Sequence, residues 1–213
     1  MLPVLLLFGG CVKDNMEIHV VPKISDYYPL KEGGTWIWNV DSIYYDAFFD
    51  RIDTFRFQMR ERVDTFFTDN LGRRAARIER SKAIDSGVWV FQEMCYGVVD
   101  HDHFEKVENN RRYIKISLPI TEEAIWDMNS RNDLSQKLVF YDNTGYAFQG
   151  KFIQSDKAIL IKSSPIVNKL EEQIYEEVYG QDLGLLFYRK VNKQTVSGKF
   201  NGYDVKYELS QCK

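Results

Sequence analysis

Cysteine is scarce in this 213-residue chain: Cys11, Cys95 and Cys212 are the full set. No Cys-x-x-Cys pair occurs, which removes zinc-ribbon and thioredoxin-type chemistry. Histidine is equally rare, at three residues. No apolar run reaches 18 residues, so the sequence contains no transmembrane helix. An excess of one charge is also missing. The 28 Lys and Arg residues meet 31 Asp and Glu residues, for a net charge of −3. Nothing in that balance selects nucleic acid as a partner. The G-x-S-x-G elbow, the P-loop and the G-x-G-x-x-G fingerprint are absent. Catalysis by an activated nucleophile therefore has no foothold, and no cofactor is expected.

What the chain does have is aromatic residues, 15% of the total, in alternating order. In "TFRFQMRERVDTFF" Phe55, Phe57, Met59 and Val63 fall on one side, and Arg56, Gln58, Arg60, Arg62 and Asp64 on the other. A period of two marks a half-buried strand. The turn "TDNLGRR", the return "RAARIERSKAID" and the apolar "VWVFQEMCYGVV" continue the pattern. "RRYIKISLPI" follows and stops at Pro119, and "QKLVFYD" leads into an expected turn at "DNTG". "NKLEEQIYEEVYG" holds good helix formers but also alternates; strand is the preferred reading and helix the alternative. Asn201-Gly202 is the dipeptide of a type I′ hairpin and is expected to join the last two strands. About ten strands without a βαβ unit imply an all-β single domain, an antiparallel curved sheet or barrel-like structure.

The first residues, "MLPVLLLFGGCVKD", stand apart. An apolar run ending in small residues has the form of a secretory signal. Gly9-Gly10 directly before Cys11 is similar to a bacterial lipobox, in which the cysteine carries the lipid. The expected organisation is a signal peptide over 1–10, a lipid-anchored tether over 11–26 and a β-rich domain over 27–213. The alternative is an apolar first strand. With Cys11 lipidated, Cys95 and Cys212 remain as a candidate disulfide; two free thiols are the other reading.

Three stretches carry a resemblance: "YYPLKEGGTWIWNVDSIYYD", "VENNRRYIKISLPITEEAIWDMN" and "YEEVYGQDLGLLFYRK". In that order they resemble a group of lipoproteins typical of Bacteroidetes, with no known activity. The resemblance implies a lipid-anchored, outer-membrane, mainly β protein whose membrane face stays open.

Candidate chemistry is sparse. His101 and His103 would point the same way on a strand, and Asp100, Asp102, Glu105 and Glu108 surround them. That set could hold a transition metal or serve an envelope-glycan hydrolase; a polar loop tip is the plainer reading. Asn110, Arg111, Trp126 and Asn129 sit in turn-like segments and could stack on and bond a sugar; capping and packing are the alternative. The best-supported function is a non-enzymatic binding or assembly module. Its expected partners are the membrane, through lipid on Cys11, and a hydrophobic ligand or another envelope protein.

Overall fold

A computed structural model describes residues 22–85 and 87–213. The signal segment and Cys11 lie outside the described residues. One short helix, α1 (Ile24–Tyr27), precedes thirteen strands: β1 (Thr35–Asp46), β2 (Arg51–Thr68), β3 (Arg74–Asp85), β4 (Val88–Val99), β5 (His103–Glu108), β6 (Arg111–Ser117), β7 (Ile125–Asp127), β8 (Leu138–Gln149), β9 (Gln154–Lys162), β10 (Ile166–Val167), β11 (Glu171–Gly180), β12 (Gly184–Val196) and β13 (Lys199–Cys212). All pairings are antiparallel, in the order β6-β5-β4-β3-β2-β1-β13-β12-β11-β9-β8-β7, with β10 beside β11.

The sheet curls until its two edges nearly meet. Ile114 N–H donates to Met128 O at 3.0 Å, Trp126 Nε1 to Ile114 O at 3.0 Å and Asn132 Nδ2 to Arg112 O at 2.9 Å. Side chains thus cover edge groups that would otherwise be free to pair with another chain. The first and last strands lie side by side, and Thr35 and Lys213 exchange both backbone bonds at 2.9 Å.

Alternation sets the inward face. Trp36, Trp38 and Val40 point inward from β1, and Met59 and Val63 from β2. Both indoles reach over β13 to β12 and the turn before it, Trp36 Nε1 donating to Leu183 O at 2.7 Å and Trp38 Nε1 to Leu185 O at 2.9 Å. Two apolar clusters result. One joins Ile24, Tyr27, Tyr28, Phe104 and Tyr179; the other joins Trp36, Trp38, Ile78, Cys95 and Leu209. Tyr28 stacks on Phe104 with centroids 4.0 Å apart. The folded body therefore begins at α1, before the expected boundary at residue 27. Ile24 is buried, and the helix is tied down where Asp182 N–H meets Asp26 O at 2.6 Å.

Several local readings need correction. The histidine- and acid-rich stretch, read as a polar loop tip, is a turn only over residues 100–102; from His103 it is the strand β5. "DNTG" is no chain reversal but an irregular stretch within β8, with Gly145 at φ 68°. The last hairpin turns at Ser197-Gly198, both at positive φ, and not at Asn201-Gly202. Gly202 lies inside β13 because the backbone passes close to β12: a Cβ there would collide with Asn192 O. Segment 171–180 is a strand, as alternation suggests. Cys95 and Cys212 are free. They lie on β4 and β13, four strand spacings apart in the sheet, roughly 19 Å, whereas a disulfide needs Cα atoms within about 7 Å.

Gly202→Ala is expected to cost more than about 2 kcal/mol, because it adds a backbone clash to a strained φ. Gly198→Ala meets nothing within 4 Å and should cost only about 1 kcal/mol. Urea midpoints of the two variants test that order.

Candidate functional site

Alternation also carries charge into the barrel. Glu61 occupies the inward series of β2 between Met59 and Val63 and is 2% exposed. Arg80 faces it from β3, Lys106 and Glu108 from β5, Lys115 from β6 and Glu177 from β11. Lys106 Nζ donates to both Glu61 oxygens at 2.8 and 2.9 Å. Arg80 donates to Glu61 at 2.6 Å, to Glu108 at 2.8 Å and also to Glu93. Lys115 Nζ donates to Glu177 at 2.8 Å and to the Tyr175 hydroxyl at 3.2 Å, and Tyr179 O–H donates to Glu177 at 2.9 Å. The three inward acids and three inward cations neutralise one another.

The charged groups line a cavity of about 220 Å³ together with Tyr28, Trp38, Tyr179, Tyr188 and Tyr207. Tyr188 and Tyr207 meet edge-on, centroids 5.3 Å apart. Neither hydroxyl counts among the buried polar groups left without a partner; both open onto the cavity. The apolar volume of the barrel is filled by the two clusters. The remaining cavity is partly open, and its wall is about as apolar as it is polar.

Protonation follows from the pairing. Burial is the largest influence on Glu61 and on Glu108 and would raise both. Lys106 and Arg80 outweigh it for Glu61; Lys106, Arg80 and Lys115 outweigh it for Glu108, so both stay below the usual carboxylate range. Burial would lower Lys106 and Lys115, but Glu61 beside the first and Glu177 with Glu108 beside the second hold both above the ordinary lysine value. Burial pushes the Cys95 thiol up to about 12, which leaves it unreactive.

The residues singled out from sequence fall elsewhere. Asp100, His103 and Glu105 do converge, with candidate ligand atoms within 4.8 Å of one another. Arg73 already occupies that convergence, donating to Asp100 at 2.6 Å, Glu105 at 2.8 Å and Asp69 at 2.9 Å, and Arg112 also bonds Glu105. His103 is committed to Asp102 and Glu105, each at 2.9 Å. A metal ion would have to displace a guanidinium, so the donor set does not fit one. His101 is exposed and stands outside this group.

Asn110, with Asn109, forms the β5–β6 turn at positive φ. Arg111 pairs with exposed Asp133 at 3.0 Å. Trp126 packs on Tyr141, centroids 4.9 Å apart, and Asn129 donates to Ser135 O at 2.7 Å. Asn110 and Arg111 share a shallow depression that Trp126 and Asn129 do not reach. The four therefore do not assemble into one sugar site. Of the charged residues that line the cavity, the sequence marks Glu108, but with the histidines rather than with its partners here; the available signal for the rest was an acid, Glu61, in the apolar series of β2.

No family model and no curated protein matches the chain. The fold is similar to that of a protein described as exported, with a YmcC-like fold, from Bacteroides fragilis NCTC 9343. The TM-score is 0.50 at 10% identity, over 88% of this chain and 98% of that one. A protein described as a lipoprotein, from Parabacteroides distasonis ATCC 8503, aligns at TM-score 0.46 and 12% identity over the same shares. At such identity the first likeness is one of fold.

The paired charges bound stability on both sides of neutral pH. Glu61 and Glu108 are depressed, so their contribution is present above their unfolded value near 4.5 and is lost as pH falls below it. Lys106 and Lys115 are raised, so theirs is present below 10.5 and is lost as pH rises past it. The paired set alone gives no slope between these limits. Lys137, lowered to about 7 by burial, adds a rise in stability as pH increases from about 7 toward 10.5. Thermal unfolding against pH should show a flat stretch up to about 7 followed by that rise. Lys106→Met strands part of the Glu61 charge and should cost about 3–5 kcal/mol in urea.

Proposed function

We propose that this chain is an envelope lipoprotein, anchored through Cys11, whose barrel binds a small polar, hydroxyl-rich molecule of monosaccharide size without transforming it. The observation that carries the reading is the pair of hydroxyls, Tyr188 and Tyr207, that open onto the cavity beside a self-neutralised set of ions. A ligand with no net charge disturbs that balance least, because adding a bare charge would leave it unpaired in a buried setting. The cavity, about 220 Å³, is smaller than the roughly 300–1,000 Å³ of drug-sized sites, which favours a single compact ring. Tyrosine and Trp38 faces offer stacking surface, and the hydroxyls and ion edges offer directional bonds. The Gly-Gly-Cys sequence after an apolar run supports export and lipidation, and the exported protein that shares the fold is in keeping with that address.

An envelope-glycan hydrolase at Asp100–Glu105 is disfavoured, since Arg73 and Arg112 hold those carboxylates. Near-closure of β6 on β7 covers part of the sheet edge, while β4 before Tyr96 stays unpaired by β5 and keeps a docking role open as the second reading.

Two experiments test the reading. Cys11→Ala should move the protein from the membrane pellet to the soluble fraction, and unchanged sedimentation with the membrane would overturn the anchor. Glucose and N-acetylglucosamine, titrated against tryptophan fluorescence, should give saturable binding. The double variant Tyr188→Phe/Tyr207→Phe should weaken it at least tenfold with an unchanged melting temperature. An absence of saturation with both sugars would count against the monosaccharide assignment.

A further inference from the structure

A second cleft lies on the far side of Tyr175 from the cavity. Its volume is about 610 Å³, and Lys137, Lys190, Ser163, Ser164, Asn192 and the Tyr175 ring line it. Lys137 sits just before β8, with its Nζ 3.6 Å from the centre of the Tyr175 ring. Lys190 is the cross-strand partner of Tyr175 on β12.

Elsewhere in the barrel the buried cations have carboxylates: Arg80, Lys106, Lys115 and Lys193 each lie within 3 Å of one. Lys137 and Lys190 have none within 4 Å among the described residues, and each faces the other's charge. The charged groups around Lys137 are Lys190 on β12, Lys115 on β6 and Glu177 on β11. Glu177 is the one acid of that set, and it is already committed to Lys115 and Tyr179. The cleft therefore gathers positive charge over an aromatic floor without a counter-charge, at a cost to the empty protein. Hydroxyl and amide donors stand beside it.

We propose that this cleft is an oxyanion site, taking a phosphoryl, sulfuryl or carboxylate group between Lys137 and Lys190. The anion supplies the charge that the fold withholds. Serine and asparagine donors complete its bonds, and ammonium–oxyanion hydrogen bonds are the strong kind. The site is distinct from the tyrosine-rimmed cavity and does not depend on the sugar assignment.

The geometry has a signature in protons. Burial, with Lys190 and Lys115 nearby, lowers Lys137 to about 7, so the empty site is partly neutral at physiological pH. A bound anion favours the ammonium, so binding takes up a proton. Sulfate is the best probe because its own charge is constant near neutral pH. Titration calorimetry of the purified protein at pH 7.5, in Tris and in Hepes, should show one site per chain with an enthalpy that differs between buffers by the proton taken up. Affinity should fall about 30-fold between pH 6 and pH 8.5, the drop in the protonated fraction of a group near 7.

Lys137→Gln and Lys190→Gln should each weaken binding at least tenfold without lowering the melting temperature, and Lys137→Gln should raise it, because an unmatched charge is removed. Lys137→Arg should bind but lose most of the pH dependence, because arginine stays charged. Tyr188→Phe/Tyr207→Phe should bind sulfate normally. Methyl phosphate and acetate, run in parallel, decide between a phosphoryl and a carboxylate ligand. No saturation by any of the three anions up to tens of millimolar would overturn the proposal. Wild-type affinity in both glutamine variants, or binding without proton uptake, would do the same.

Discussion

Six charges buried inside a β-barrel must satisfy one another, and the strand register follows from that demand. Glu61, Arg80, Lys106, Glu108, Lys115 and Glu177 come from five strands, and β6 and β11 are not neighbours in the sheet. The Lys115–Glu177 bond therefore crosses the interior and ties one end of the curled sheet to its middle. Shifting any contributing strand by one residue would turn its charge outward and leave its partner buried alone. Such a network adds little net stability over an apolar filling, but it penalises wrong registers heavily.

Apolar packing works around this constraint. The cavity's walls draw on both clusters, with Tyr28 and Tyr179 from one and Trp38 from the other. Tyrosine suits the boundary because its ring packs against the core while its hydroxyl meets the ions. Where the pairings are complete, as at Tyr179 and Glu177, the interior is fixed. Where groups face open space, at Tyr188, Tyr207 and the Lys137–Lys190 cleft, the molecule has capacity left for something else.

Much of the architecture was legible in the sequence. Period-two alternation identified most of the long strands and the antiparallel all-β class, because one face of each had to be apolar. The strand count was low because β5, β7 and β10 are too short or too polar to alternate visibly. Turn chemistry misled at Asn201-Gly202: the glycine serves a close backbone approach there, and Ser197-Gly198 makes the reversal. The candidate site was hidden for a related reason. A lone glutamate in an apolar series, such as Glu61, looks like an exception until its partners are known, and those partners, Arg80 and Lys106, lie 19 and 45 positions away. His101 and His103 drew attention by residue type alone, whereas Arg73, distant in sequence, decided what that cluster does.

The pairing of Thr35 with Lys213 gives the molecule a polarity. Both chain ends leave the barrel together, on the side sealed by α1, while Asn109 marks the cavity's rim between β5 and β6. The first and last strands therefore open at the plugged end, opposite the tyrosine-rimmed mouth. A reporter fused after Lys213 would sit beside Thr35 at that plugged end, out of the way of whatever approaches the mouth.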